Sequence, residues 1–258
     1  MSIGTAQSGP PVVGVIPARL ASSRFPNKVL ADQTGQPLIQ HVWEAARRAR
    51  SLARVVVAVD DERVRRAVVG FGGEAVMTRV DHPNGTSRLH EAGQLLGLPD
   101  DAIVVNVQGD EPDVDPAVID AAVGLLRASP APVATIASPF ASGEDPANPN
   151  IVKVVLRRDG TALYFSRSLI PHSRQGATHR EAPLKHVGLY AYRAGFLRTY
   201  VALTPTPLEQ TEMLEQLRIM EHGHAIAVAV RPVWSVGIDT PEQYAAFVAR
   251  HRAGGTAR

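Results

Sequence analysis

Three cations lie close together after the first apolar run of the chain. Arg19, Arg24 and Lys28 fall within one stretch of ten residues, with the hydroxyl of Ser22 among them. In an open α/β sheet, phosphates bind where strand carboxyl ends and helix N-termini meet, and this stretch follows a predicted strand. The cluster can neutralise a triphosphate and stabilise the charge on departing pyrophosphate. An exposed basic loop without a ligand is the alternative interpretation.

Two carboxylates occupy comparable positions further along the chain. Asp110 comes shortly after the apolar run 103–107, and Asp239 directly precedes a predicted helix that starts near Pro241. Magnesium takes few protein oxygens and shares its other positions with substrate phosphates and water, so both carboxylates are candidate magnesium ligands. Either of them, or nearby Asp115, could instead cap the helix that follows it.

A third set of polar residues lies in the second half of the chain. An acidic sugar needs a cation for its carboxylate and polar groups for its hydroxyls. The candidates for these roles are Arg174, Lys185, His186, Tyr190 and Glu215. Each also has a structural interpretation, for example a hydrogen-bonded strand histidine for His186, a core ring for Tyr190 and a solvated helix face for Glu215.

Missing residue types exclude other chemistry. No glycine occurs between Gly14 and Gly35, so this loop is neither the glycine fingerprint of dehydrogenases nor a Walker A loop. The chain has no cysteine, which excludes disulfides, thiol catalysis and thiolate-bound zinc. Carboxylates, imidazoles and hydroxyls must therefore carry any chemistry.

Hydrophobic periodicity predicts the elements that position these residues. From Val12 to about Ala137, short β-branched runs alternate with helical patterns, which predicts an α/β fold with a mostly parallel central sheet covered by helices on both faces. The predicted strands are 12–16, 55–59, 75–77 and 103–107, and the predicted helices are 37–49, 62–69 and 87–96. Further on, the pattern predicts a hairpin of 152–156 and 162–165, a loop over the site at 171–183, a helix at 208–220, a strand at 225–230 and a helix at 241–251.

Size and charge set further limits. The 258 residues, 45% of them hydrophobic, can bury a full core in one domain, which we place at 11–251 between a loose tail at 1–10 and another at 252–258. A net charge of +2 gives no bulk attraction to nucleic acid. The apolar runs are too short to span a bilayer and the N-terminus lacks the pattern of a secretion signal, so we expect a cytoplasmic protein without membrane contact.

Six short strings then appear in an order that is typical of one enzyme family. They are Ile16-Pro17-Ala18-Arg19, Val107-Gln108-Gly109-Asp110-Glu111-Pro112, Asn148-Pro149-Asn150, Tyr164-Phe165-Ser166-Arg167, His186-Val187-Gly188-Leu189-Tyr190 and Met213-Leu214-Glu215-Gln216-Leu217. From about Val12 to Arg250 the chain resembles the 3-deoxy-manno-octulosonate (KDO) cytidylyltransferases, also called CMP-KDO synthetases. The first string is shared with other sugar nucleotidyltransferases, whereas the strings around Arg167 and from His186 to Glu215 point to the KDO enzymes.

The resemblance implies a fold, a reaction and partners. The fold would be that of the nucleotide-diphospho-sugar transferases, which is Rossmann-like, with a small substrate-binding and dimerisation subdomain at about 151–205. The reaction would convert CTP and KDO into CMP-KDO and pyrophosphate, activating the sugar for biosynthesis of the lipopolysaccharide type. It would depend on Mg²⁺ and take place in a homodimer.

The resemblance also assigns roles to residues at matching positions. CTP would be bound by Ala18, Arg19, Ser22, Arg24, Lys28, Arg79, Gly85, Arg88 and Gln108. The sugar would be bound by Gln108, Arg174, His186, Tyr190 and Glu215. Asp110 and Asp239 would hold magnesium and, together with Arg19 and Lys28, form the catalytic set.

The chain departs from the family pattern at three places. Ser87 stands where relatives often have Glu, Lys185 replaces a frequent Arg, and the loop at 171–185 is several residues short. The first two departures are peripheral. The shortened loop lies beside the predicted sugar site, so CTP-dependent activation of a related acidic sugar, such as an amino-substituted KDO analogue or a sialate-like acid, remains the alternative. A nucleotide sensor without catalytic activity is a further alternative, but it would have little reason to keep both Asp110 and Asp239.

Overall fold

The structure is a computed structural model that describes residues 9–22, 24–174, 182–234 and 237–254. Within these ranges no helix combines the length and the apolar character needed to cross a membrane. Most of the two predicted tails lies outside the described residues, although the last helix continues to Arg252. The central part of the loop predicted at 171–183 lies outside them as well.

The described strands form one mixed sheet. They are β1 (Val12–Ala18), β2 (Arg54–Val59), β3 (Glu74–Met77), β4 (Ile103–Asn106), β5 (Val133–Pro139), β6 (Lys153–Leu156), β7 (Ala162–Ser166), β8 (Leu184–Arg193) and β9 (Ile226–Val230). The main order is β3-β2-β1-β4-β8-β5-β9, and β8 is antiparallel to both of its neighbours, whereas the other pairs along this order are parallel. The hairpin of β6 and β7 joins the sheet through β8.

Helices cover both faces of the sheet. They are α1 (Leu38–Ala46), α2 (Glu62–Gly70), α3 (Gly85–Leu95), α4 (Pro116–Ala128), α5 (Ala194–Ala202), α6 (Pro207–Glu212), α7 (Gln216–Glu221) and α8 (Pro241–Arg252), with a single 3-10 turn at Lys28–Leu30. Side chains alternate along a strand, so in β1 Val12 and Ile16 belong to the core under α1, α2 and α4, whereas Val13 and Val15 belong to the core under α3, α5 and α7. This burial on both faces explains the continuous apolar runs in the sequence.

The α/β class, the hairpin and the order of the predicted elements are confirmed. The single helix predicted at 208–220 is wrong, because the chain breaks at Met213, which has the left-handed φ of 52°. At this break the guanidinium of Arg167 donates hydrogen bonds to the carbonyl oxygens of Glu212, at 2.7 Å, and Met213, at 3.3 Å. A tertiary contact thus satisfies carbonyl groups that a continuous helix would bond internally.

Candidate active site

The site begins where two parallel strands end side by side. β1 and β4 are neighbours, so Arg19 and Gln108 leave the sheet at the same edge. Gly109 makes this approach possible, because a Cβ atom there would lie 2.5 Å from the carbonyl oxygen of Pro17. The glycine therefore lets the β4 exit, with Asp110, pass directly over the end of β1.

Lys28 joins the two predicted metal carboxylates. Its Nζ lies 2.8 Å from Oδ2 of Asp110 and 3.2 Å from Oδ1 of Asp239. Arg24 approaches the other oxygen of Asp239 at 3.0 Å. The amide of Ile238 donates to the carbonyl of Asp110 at 2.9 Å, which holds the segment before α8 against the β4 exit. Residues from three distant parts of the chain thus meet at one point.

The paired carboxylates fit a magnesium ion that shares its ligands with a substrate. Both already hold one cation, the ammonium of Lys28, between them. Among the described residues there is no group of three or more histidine, aspartate or glutamate side chains that could hold a metal ion without other ligands. Magnesium is commonly bound by one or two carboxylates together with substrate phosphates and water, which is the donor set available here.

The predicted cations line one cleft. Its lining includes Arg19, Ser22, Arg24, Lys28, Gly85, Arg88, Gln108, Asp110 and Asp239. Ala18 is fully buried at the end of β1. The side chain of Arg79 does not line this cleft among the described residues; it is exposed and lies 3.4 Å from Asp81. The structure therefore brings together most of the residues predicted to bind a nucleoside triphosphate.

A second, more neutral cleft adjoins the first. It is lined by Gln108, His186, Tyr190 and Glu215, all predicted for the sugar. Arg174 is exposed and does not line it. Lys185 does not line it either and instead pairs with Glu144, its Nζ lying 2.6 Å from Oε1.

Several residues that line the second cleft were not predicted from the sequence. They are Thr86, Asn106, Tyr192, Tyr200 and Gln216. The Oδ1 of Asn106 and the Nε2 of Gln216 are buried without a hydrogen-bond partner among the described residues, although buried polar atoms are normally satisfied. Gln216 lies inside one of the recognised strings, whereas nothing in the pattern distinguished Asn106 from other strand residues. Both atoms suit the hydroxyl groups of a ligand.

Burial keeps the second cleft largely uncharged. Desolvation lowers the pKa of His186 to about 3, and Nε2 of its ring lies 3.1 Å from Oγ1 of Thr135. Burial likewise raises the pKa of the Tyr190 hydroxyl. Although Glu215 is accessible from the cleft, desolvation by the surrounding protein, followed by the charge of Glu209, raises the pKa of its carboxyl. The cleft favours neutral hydrogen-bonding groups over ion pairs.

The two clefts share Gly85, Gln108 and Glu215. Gln108 is oriented by β8, since its Nε2 donates to the carbonyl oxygen of Gly188 at 2.8 Å. Molecules bound in the two clefts would therefore meet beside the same amide.

This α/β fold, with a basic cleft after β1 and two carboxylates paired with Lys28, is the arrangement of a sugar nucleotidyltransferase. The chain matches the family model of cytidylyltransferases over residues 13–226. It is 54% identical to the 3-deoxy-manno-octulosonate cytidylyltransferase of Syntrophobacter fumaroxidans, over 92% of this chain and 95% of that protein. It is 50% identical to the enzyme of the same name from Acidovorax sp. strain JS42, over 90% and 94%.

A solved structure is similar over nearly the whole chain. It is a CMP:2-keto-3-deoxy-manno-octonic acid synthetase complexed with CTP, and it matches with a TM-score of 0.88 and 43% identity over 95% of this chain and 99% of that one. The chain belongs to the 3-deoxy-manno-octulosonate cytidylyltransferase family. The resemblance inferred from the six strings is confirmed.

Proposed function

We propose that this protein transfers the cytidylyl group of CTP to KDO, forming CMP-KDO and pyrophosphate. The observation that carries the proposal is the pair of adjoining clefts, one rich in cations and the other rich in neutral polar groups, with Gln108 between them. One cleft suits a triphosphate and the other a polyhydroxylated sugar. The relatives that support the assignment carry this activity in their names.

The residues of the basic cleft would bind and orient the triphosphate. Arg19, Arg24 and Lys28 supply positive charge, but Asp110 and Asp239 offset two of these charges. Binding of a triphosphate therefore requires further positive charge. A Mg²⁺ ion held by the two carboxylates would supply it. When bound, the ion neutralises phosphate oxygens and lowers the pKa of the attacking hydroxyl. Lys28 would then be available, with Arg19, to stabilise the leaving pyrophosphate.

The second cleft would hold the sugar for attack. The hydroxyl oxygen on C2 of KDO forms a bond to the α-phosphorus, the bond to pyrophosphate breaks on the opposite side, and the hydroxyl proton passes to solvent. Positioning and charge neutralisation carry such phosphoryl transfers. Tyr190, Asn106 and Gln216 would bind sugar hydroxyls, and His186 would act as a neutral hydrogen-bonding group because of its low pKa. Arg174, exposed at the start of the loop, is the proposed partner of the sugar carboxylate.

The test uses the purified protein, magnesium and each nucleoside triphosphate in turn, with KDO as acceptor and mass spectrometry of the product. We expect CMP-KDO from CTP alone. A nucleotide sugar formed only from another triphosphate would contradict the cytidine assignment. A panel of related acidic sugars, including an amino-substituted analogue and a sialate, tests the acceptor, and a preference for one of them over KDO would establish the alternative substrate.

A homodimer in the cytoplasm belongs to the same proposal. Exposed apolar side chains such as Leu163, Val230 and Trp234 are available for a subunit contact. Light scattering at several concentrations tests this, and a monomer at micromolar concentration would contradict it.

A further inference from the structure

Two adjacent carboxylates follow β2 and make different contacts. Asp61 caps α2, because its carboxylate accepts a hydrogen bond from the amide of Arg63 at 2.7 Å. Asp60 is directed inward and its side chain is only 7% exposed. Its Oδ1 accepts from the backbone amide of Leu20 at 2.9 Å, and its Oδ2 accepts from Nη2 of Arg88 at 3.0 Å.

The contact to Arg88 continues into a closed network. Nη1 of Arg88 donates to the hydroxyl of Thr78 at 2.7 Å, and that hydroxyl donates to the carbonyl of Val59 at 3.0 Å. The guanidinium side chain is 5% exposed, so its charge is neutralised within the protein by Asp60. A buried ion pair is tolerable when further hydrogen bonds support both partners, and here Asp60 also accepts from Leu20 and Arg88 also donates to Thr78.

The position of Leu20 gives this network a role. Leu20 directly follows Arg19, at the point where β1 passes into the basic loop. A carboxylate beside a triphosphate site would repel the ligand unless it were paired, which gives a reason for the buried partner Arg88. The carboxylate of Asp60 thus fixes the start of the basic loop through the amide of Leu20, and because it is paired with Arg88 it adds no unpaired negative charge to the cleft.

We propose that Asp60 is a positioning residue for the triphosphate, acting through the backbone of Leu20, and that Arg88 serves mainly to neutralise and orient Asp60. This inference rests on the proposed function, since it assumes that the basic loop binds CTP. It concerns binding of the nucleotide and not binding of the sugar.

The principal variant is Asp60→Asn. The amide of asparagine can accept a hydrogen bond with only one of its two ends, so it cannot serve both Leu20 and Arg88. Displacing a loop that orients phosphates carries a large penalty. We expect the dissociation constant for CTP, measured by calorimetry without sugar, to rise at least about tenfold, while the KM for the sugar stays within about twofold.

Two matched controls separate positioning from stability. Thr78→Val removes a hydroxyl from the same buried network but leaves the contact between Asp60 and Leu20, so it should lower the melting temperature and leave CTP affinity within about twofold. Asp61→Asn retains a good helix cap and should change neither quantity. If Thr78→Val weakens CTP binding as much as Asp60→Asn does at equal loss of melting temperature, the role of Asp60 is structural and the inference is overturned.

A measurement on the unaltered protein covers the case in which Asp60→Asn does not fold. The amide of Leu20 should exchange slowly with solvent in the protein without nucleotide, because it is hydrogen-bonded to a buried carboxylate. Exchange at the rate of an exposed loop amide would overturn the inference. Wild-type protein that binds no CTP would instead refute the proposed function, whereas wild-type affinity in Asp60→Asn would refute this inference alone.

Discussion

Lys28 pairs with two carboxylates from distant parts of the chain, Asp110 after β4 and Asp239 before α8. Its ammonium is nearly buried, with 10% of the side chain exposed, and lies within hydrogen-bonding distance of both Asp110 and Asp239. Removal of either carboxylate would take one ion-pair partner from Lys28 and one candidate ligand from the metal site. The three residues therefore act as a unit, and their substitutions should not be additive.

Asp110→Asn tests this unit most directly. Because the amide is neutral and a poor magnesium ligand, we expect turnover to fall about a hundredfold to a thousandfold while the protein stays folded. Pyrophosphate release at saturating magnesium, with circular dichroism as the folding measurement, gives the answer. The matched control is Asp115→Asn, since Asp115 caps α4 and asparagine caps helices equally well. Near-normal turnover of Asp110→Asn would contradict the assignment.

His186 provides a prediction about acid stability. Its pKa is about 3 in the folded protein and near the ordinary value of 6.5 when unfolded, so only the unfolded chain takes up this proton between those values. Stability from this residue is therefore complete above pH 6.5 and is lost as the pH falls towards 3, at up to about 1.4 kcal/mol per pH unit.

His186→Gln should remove part of that dependence. The melting temperature of the variant should fall less between pH 7.5 and pH 5 than that of the wild type, even if the variant is less stable at pH 7.5. His222→Gln serves as the control, because His222 is exposed and its ring lies within hydrogen-bonding distance of the carbonyl oxygen of Thr204. An equal loss in wild type and His186→Gln would show that this histidine is protonated similarly in both states.

At the scale of elements, hydrophobic periodicity predicted the strands and helices whose positions follow from the burial of neighbouring residues in the chain. The strands β1, β2 and β4 are buried on both faces and were predicted within about two residues. The break at Met213 was not predicted, because the carbonyl groups it leaves without helical partners are bonded by Arg167, which lies 46 positions from Met213 in the chain. The antiparallel insertion of β8 between β4 and β5 was equally inaccessible, since pairing partners depend on the whole topology.

The junction of β1 and β4 depends on a close contact at Gly109. In Gly109→Ala the new methyl group would meet the carbonyl of Pro17, and we expect a loss of about 1–3 kcal/mol of stability together with weaker CTP binding. Gly124→Ala is the matched control, because Gly124 lies in α4 and has open space where the methyl group would be added. This substitution should be neutral or stabilise the protein by about 0.5–1 kcal/mol. Urea denaturation of both variants measures the change in the free energy of unfolding. An equal change in Gly109→Ala and Gly124→Ala would contradict the steric argument.

At the scale of the whole molecule, the sequence predicted many of the residues that line the two clefts but not how the surrounding elements pack around them. Spacing alone placed Arg19 and Lys28 on one loop, and the resemblance to the family implied that the distant Asp239 belongs to the same site. The neutrality of the second cleft was not predicted from the sequence, because desolvation of His186 depends on packing from several elements. The inward direction of Asp60, beside an outward Asp61, is likewise set by Leu20 and Arg88.

The adjoining clefts predict a sequential kinetic mechanism, in which both substrates bind before the cytidylyl group is transferred. The two clefts adjoin at Gln108, so CTP in one and KDO in the other could react directly, and such a transfer requires no covalent enzyme intermediate. The chain has no cysteine to act as a nucleophile, and the Nζ of Lys28 is already paired with two carboxylates. Initial rates at varied CTP and KDO should therefore give intersecting double-reciprocal lines. Radiolabelled pyrophosphate should not exchange into CTP unless the sugar is present, and exchange in its absence would instead indicate a cytidylylated enzyme.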